Sequence, residues 1–282
     1  IKDLANESID KFIDRGEFEF ITEFSSPVTV GVLSQLLGMP RKDQLEIRKN
    51  IVLTLTTDPE TRQKTAANLA GFEWLKKYTL NMLDEHKSKP KEDLLTRLID
   101  AEVEGDKLRD QEIHMTSLTL IMAGVESASS FMTMLALNLD DHPQQKAAVI
   151  EEPDLIDSAI EESLRFNTTA QRFRRTLTVD HELHGQTMRA GDKVIMCYGA
   201  AGRDERQHSN PDKYDIHRKP KKHLGLGAGK HFCLGNTVAK LMVEHAMTVF
   251  YERIPSAKRT QDELEWITST TFRSPVSSYF EF

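Results

Sequence analysis

The 282-residue chain, 39% hydrophobic and 29% charged, is long enough for one large domain or two small ones with a substantial core. Its formal charge of −7 argues against nonspecific nucleic-acid binding, and its two cysteines, Cys197 and Cys233, build no disulfide framework and suit a reducing cytoplasm. No apolar run reads as long and uninterrupted enough to cross a bilayer, and no secretory signal is visible.

The chain opens at Ile1 without Met, straight into a helical pattern, so the N-terminus reads as cut. Ile1 to Arg15 puts Ile1, Leu4, Ala5, Ile9, Phe12 and Ile13 on one helical face, and Gly16 stops it. Phe18 to Phe24 reads as a short aromatic linker, and Val28 to Leu37 as a second helix closed by Gly38 and Pro40. Lys42 to Thr56 and Glu60 to His86 read as two further helices. A charged loop from Lys87 to Glu92 follows, then a short helix from Asp93 to Val103. No internal repeat or low-complexity tract interrupts this series.

Gln111 to Leu139 is the longest apolar helix in the pattern, apolar on several faces as expected for one crossing the middle of a domain. Inside it lies Ala123-Gly124-Val125-Glu126-Ser127. An interior glycine costs roughly 1 kcal/mol relative to alanine, so packing or function must require it. A helix crossing that needs a small residue, with Glu126 and Ser127 at the surface, is one explanation. Leu155 to Phe166 follows as a helix carrying Glu161, Glu162 and Arg165. Glu162 and Arg165 are three apart on one face, where ion pairs form readily and are usually exposed.

The pattern then changes to alternation. Thr176 to Val179 and Lys193 to Tyr198 read as strands, with turns at His184-Gly185 and Ala190-Gly191. Next comes the densest motif, His223-Leu-Gly-Leu226-Gly227-Ala-Gly229-Lys230-His231-Phe-Cys233-Leu-Gly235, followed by a helix from Asn236 to Arg253. Its glycines let the backbone turn tightly and approach a flat partner closely. Cys233 thus lies on a glycine loop at a helix N-terminus, which favours a thiolate and suits a metal ligand; haem iron is one such metal. A buried inert thiol fits poorly in such a loop. Structural zinc with His223 and His231 lacks the usual paired spacing, and a Cys–His nucleophile lacks a visible orienting group. Trp266 to Phe282 closes the chain as an expected hairpin.

The run Gly227-x-Gly229-x-His231-x-Cys233-x-Gly235 resembles the haem-ligand loop of the cytochrome P-450 family. Two upstream motifs stand in the family's order, so the resemblance covers essentially the whole chain. It implies a mainly α fold with a small β portion, a single domain over 1–282 that is N-terminally incomplete. Roughly the first quarter to third of a complete member is absent. Residues 111–139 correspond to the oxygen-binding helix and 223–254 to the ligand loop with its following helix.

The implied cofactor is haem b (iron protoporphyrin IX), with Cys233 as axial ligand. Ala123, Gly124, Leu226, Gly227, Gly229 and Gly235 lie at haem-contacting positions, and Arg175, for which Arg172 or Arg174 could substitute, and His231 at propionate-binding ones. Glu126 and Ser127 take the place of the acid–alcohol pair that relays protons toward dioxygen, with Ser where the family usually has Thr. Leu226 stands where it usually has Phe. Glu162 and Arg165 match the family's Glu-x-x-Arg structural lock. The implied reaction inserts one atom of dioxygen into a small organic substrate, with electrons from a ferredoxin-type donor and its reductase. Lys222, Lys230 and Lys240 flank the loop as a possible acidic-partner face. The other reading is a haem- or ligand-binding fragment without catalytic competence.

Overall fold

The computed structural model describes residues 1–218 and 223–282. Its helices, in chain order, are α1 (Lys2–Ile9), α2 (Ser26–Leu37), α3 (Gln44–Leu55), α4 (Ala66–Ser88), α5 (Leu94–Asp100), α6 (Asp110–Asp140), α7 (Pro143–Glu151), α8 (Leu155–Phe166), α9 (Tyr198–Ala201) and α10 (Asn236–Arg253). The strands are short and antiparallel. β1 (Glu17–Glu19), β9 (Tyr279–Glu281) and β8 (Lys258–Arg259) form one sheet in that order. β2 (Glu102–Val103) pairs with β3 (Asp106–Lys107), β4 (Arg172–Thr176) with β7 (Lys193–Cys197), and β5 (His181–Leu183) with β6 (Gln186–Met188).

Several sequence expectations are corrected. Phe18 to Phe24 is not a linker: it forms β1 and a π-helical turn, Ile21–Ser25. Glu19 causes this, since its carboxylate accepts the N–H groups of Ile21, Thr22 and Ser278 and so ties a turn to the last strand. The helix expected from Glu60 starts only at Ala66. Thr65 caps it, accepting the Asn68 N–H while the Asn68 side chain accepts the Thr65 N–H. The helix expected from Asp93 to Val103 ends at Asp100 and gives way to the β2–β3 hairpin. The strand expected at Thr176–Val179 lies earlier, at Arg172–Thr176, in full register with β7. The terminal hairpin is reduced to a Trp266–Pro275 bridge, and β9 instead pairs with β1 and β8.

Among the described residues one helix, α6, is long and apolar enough to cross a membrane by length and composition alone. Its most apolar stretch is 72% buried inside the protein, so it serves as the core helix. It joins two hydrophobic clusters. Ile113, Leu118, Ile121 and Val125 pack with α2, α3, α4 and α5, whereas Ala128 to Leu139 pack with α1, α8, α10 and β9. The segment Ala123–Ser127 falls at the seam between the two clusters.

Candidate active site

The site is assembled from α8 outward. Glu162 and Arg165 share one face of α8 and are wholly buried. Arg165 Nε and Nη2 donate to the two Glu162 oxygens, both at 2.7 Å. The remaining guanidinium hydrogens go to the carbonyls of Gly202 (2.7 Å), Pro211 (2.8 Å) and Lys213 (3.1 Å). Glu162 Oε1 also accepts from the Asp215 N–H at 2.9 Å and from Arg218 Nε at 3.2 Å. A buried ion pair is tolerable only when its other hydrogen-bonding capacity is met, and here backbone groups meet it.

The adjacent Glu161 faces different partners. Its Oε2 accepts from His223 Nε2 at 3.1 Å, and its Oε1 pairs with Lys240 Nζ of α10. The His223 hydrogen bond, aided by Lys240 and opposed by burial, holds the Glu161 carboxyl down at about 2.

The cysteine loop rests directly on α8. A Cβ at Gly225 would stand 2.4 Å from the Leu164 carbonyl oxygen, so only glycine permits this approach. Thr168 Oγ1 donates to the Gly225 carbonyl at 3.2 Å. Gly227 and Gly229 take φ of 75° and 61°, and the Gly227 N–H donates to the Leu224 carbonyl. The loop closes where the Cys233 N–H donates to the Leu226 carbonyl at 2.8 Å. Asn236, the first residue of α10, donates its N–H (3.3 Å) and Nδ2 (3.0 Å) to the Cys233 carbonyl. The thiol is half-buried at the positive end of an 18-residue helix.

Around Cys233 the chain leaves apolar side chains in water. Leu234 is 84% exposed and Phe232 50%, and Val238 and Leu241 of α10 are exposed as well. Elsewhere in the chain, on β4 and β7, Phe173, Ile195 and Met196 are exposed too. Arg175 donates only to the Arg174 carbonyl, and neither it nor the exposed His231 has an acidic partner among the described residues. A soft ligand on an open loop flanked by exposed apolar residues, with an arginine and an imidazole that have no acidic partner among the described residues, suits haem b, a large flat apolar group with two carboxylates.

At the seam of α6 the helix runs unbroken through Ala123–Ser127. Leu33 of α2 packs against Gly124, where a Cβ would come within 2.9 Å of the end of its flexible side chain, so the α2–α6 crossing favours a small residue here without demanding glycine. Ala123 is exposed and Ser127 half-exposed. Ser127 Oγ donates to the Ala123 carbonyl, whereas Glu126 turns inward, is buried, and accepts from Ser130 Oγ at 3.2 Å. The two side chains are therefore not brought together. Burial pushes the Glu126 carboxyl up against the opposing charge of Arg48, and its Oε2 has no hydrogen-bond partner among the described residues. Arg218, His223 and the roles of Glu161 and Lys240 carry no signal in local spacing, because their partners lie tens of residues away. Of the lysines flanking the loop, Lys240 is engaged by Glu161, Lys230 is exposed, and Lys222 lies outside the described residues.

A protein-family model, Cytochrome P-450, matches residues 33–253. A biotin-biosynthesis cytochrome P-450 of Bacillus subtilis is 31% identical over 261 residues, covering 92% of this chain and 65% of that protein. Nocardicin C N-oxygenase of Nocardia uniformis is also 31% identical, covering 96% of this chain and 70% of that protein. Among solved structures, a myxobacterial cytochrome P-450 in complex with myristic acid superposes with a TM-score of 0.92 at 30% identity. That match covers all of this chain and 70% of the other. The chain thus spans about two thirds of the length of the relatives it matches.

Proposed function

The chain belongs to the cytochrome P-450 family, and we propose that it is a haem-thiolate monooxygenase inserting one atom of dioxygen into a small organic substrate. When bound, haem b supplies the dioxygen activation, with thiolate ligation favouring O–O cleavage. Cys233, half-buried just ahead of α10, would hold the iron. Leu226, Gly227, Gly229 and Gly235 give the loop its close, flat surface. Arg175 and His231, neither with an acidic partner among the described residues, would bind the two carboxylates. Ala123 and Gly124 form the wall on α6.

Protons move through the next residues of α6. Ser127 Oγ–H is held by the Ala123 carbonyl and is released toward the substrate side when that bond opens. Glu126 turns away from Ser127, and its buried Oε2, without a hydrogen-bond partner among the described residues, is the next group inward that can accept or give a proton. Electrons come from a separate ferredoxin-type donor with its reductase, and the two free cysteines suit a reducing cytoplasm.

The observation that carries this reading is Cys233, closed onto Leu226 in a glycine loop that rests on α8, amid apolar side chains left in water. The test is the absorption spectrum of the reduced, carbon monoxide-treated protein supplied with haem. A strongly red-shifted Soret band is expected for wild type and Cys197→Ser, and its loss for Cys233→Ser. The reverse pattern overturns the ligand assignment. The uncovered apolar face also favours a second reading, a fragment that binds haem without turnover. Substrate oxidation with a reductase system sinks that reading.

A further inference from the structure

We propose that Glu161 is a positioning residue for the Cys233 thiolate, fastening both flanks of the cysteine loop to α8. The functional consequence rests on the haem-thiolate reading; the mechanical one does not. Upstream of Cys233, His223 Nδ1 accepts the Gly225 N–H at 3.1 Å. A ring nitrogen that accepts a hydrogen bond carries no proton, so in this tautomer Nε2–H donates to Glu161 Oε2. Downstream, Lys240 stands seven residues beyond Cys233 on α10 and pairs with the other carboxylate oxygen. One carboxylate therefore holds the entry and the exit of the loop.

Between these anchors the path to the sulfur is short. Gly225, fixed by His223 and pressed on the Leu164 carbonyl, precedes Leu226, and Leu226 accepts the Cys233 N–H. Releasing His223 shifts the backbone that sets the Cys233 N–H. Exposed ion pairs contribute little, but the Glu161 side chain is 27% exposed and His223 8%, and the contact joins two segments. Neighbouring acids on α8 thus have separate duties. Glu162, with Arg165, holds residues 202–218 to the body, and Glu161 holds the ligand loop.

The test uses the haem-free chain and the labelling rate of each thiol by a small disulfide reagent. Cys233 is read in a Cys197→Ser background, and Cys197 in a Cys233→Ser background. Glu161→Ala should speed labelling of Cys233 about fivefold, equivalent to about 1 kcal/mol of loop opening, and leave Cys197 unchanged. Glu161→Gln, whose amide oxygen still accepts from His223, should fall between. Equal acceleration at both cysteines would show general loosening and overturn the proposal, as would an unchanged rate at Cys233. In the haem-loaded protein, Glu161→Ala should shift the carbon monoxide spectrum from the red-shifted band toward the ordinary one at equal haem content. If wild type gives no Cys233-dependent band, the haem-thiolate reading fails while the labelling result still decides the role of Glu161.

Discussion

The surroundings of Arg165 and of Cys233 lie against the same helix and are built on opposite plans. All three Arg165 nitrogens and both Glu162 oxygens have partners inside the chain, and neither side chain reaches water. Around Cys233, Leu234 and Phe232 stand in solvent, and Arg175 and His231 have no acid among the described residues. The first region is complete in itself. The second is complete only with a large apolar, anionic companion. Stability and cofactor retention should therefore respond to different residues.

The largest effect should come from Arg165→Ala. It leaves Glu162 charged in a fully buried site, a change that costs about 3–5 kcal/mol, and a lowered denaturant midpoint or failure to fold is expected. An unchanged midpoint would mean that the lock is dispensable. Gly225→Ala lies between the two regions. Its Cβ would meet the Leu164 carbonyl at 2.4 Å, so a loss of about 1–3 kcal/mol is expected, together with impaired haem retention measured by absorbance after gel filtration. Leu234→Asn should be the mildest for the fold, within about 0.5 kcal/mol in the haem-free chain, yet it should weaken haem retention. Equal retention by wild type and Leu234→Asn would show that this side chain faces nothing but solvent.

Much of this arrangement is legible in the sequence where the determinants are local. The bounds of α8 follow from periodicity, and α6 differs from its expected span by one residue at each end. The order of the three motifs implies the fold. Where distant residues decide, local reading fails. Phe18 to Phe24 looks like a linker because the donor that completes its turn, the Ser278 N–H, lies at the far end of the chain. The start of α4 is masked because Asn68 replaces the Glu or Gln usual in a capping box. At the site, the spacing of Glu162 and Arg165 points to their pairing, but nothing local announces that Arg218 joins them. Glu161, His223 and Lys240 become one unit only when α8, the loop and α10 are folded together.

The bond from Ser278 to Glu19 spans 259 positions, and this has a consequence for biosynthesis. A ribosome adding about 5–20 residues per second releases Glu19 roughly ten seconds to a minute before Ser278 exists. During that interval β1 has no neighbouring strand, and Phe18 and Phe20 lack the Phe250 and Phe280 rings that pack against them in the finished protein. Phe24 likewise waits for Phe250. The nascent chain thus carries a sticky aromatic segment until residues 278–280 emerge, and this segment is one that a ribosome-associated chaperone would shield.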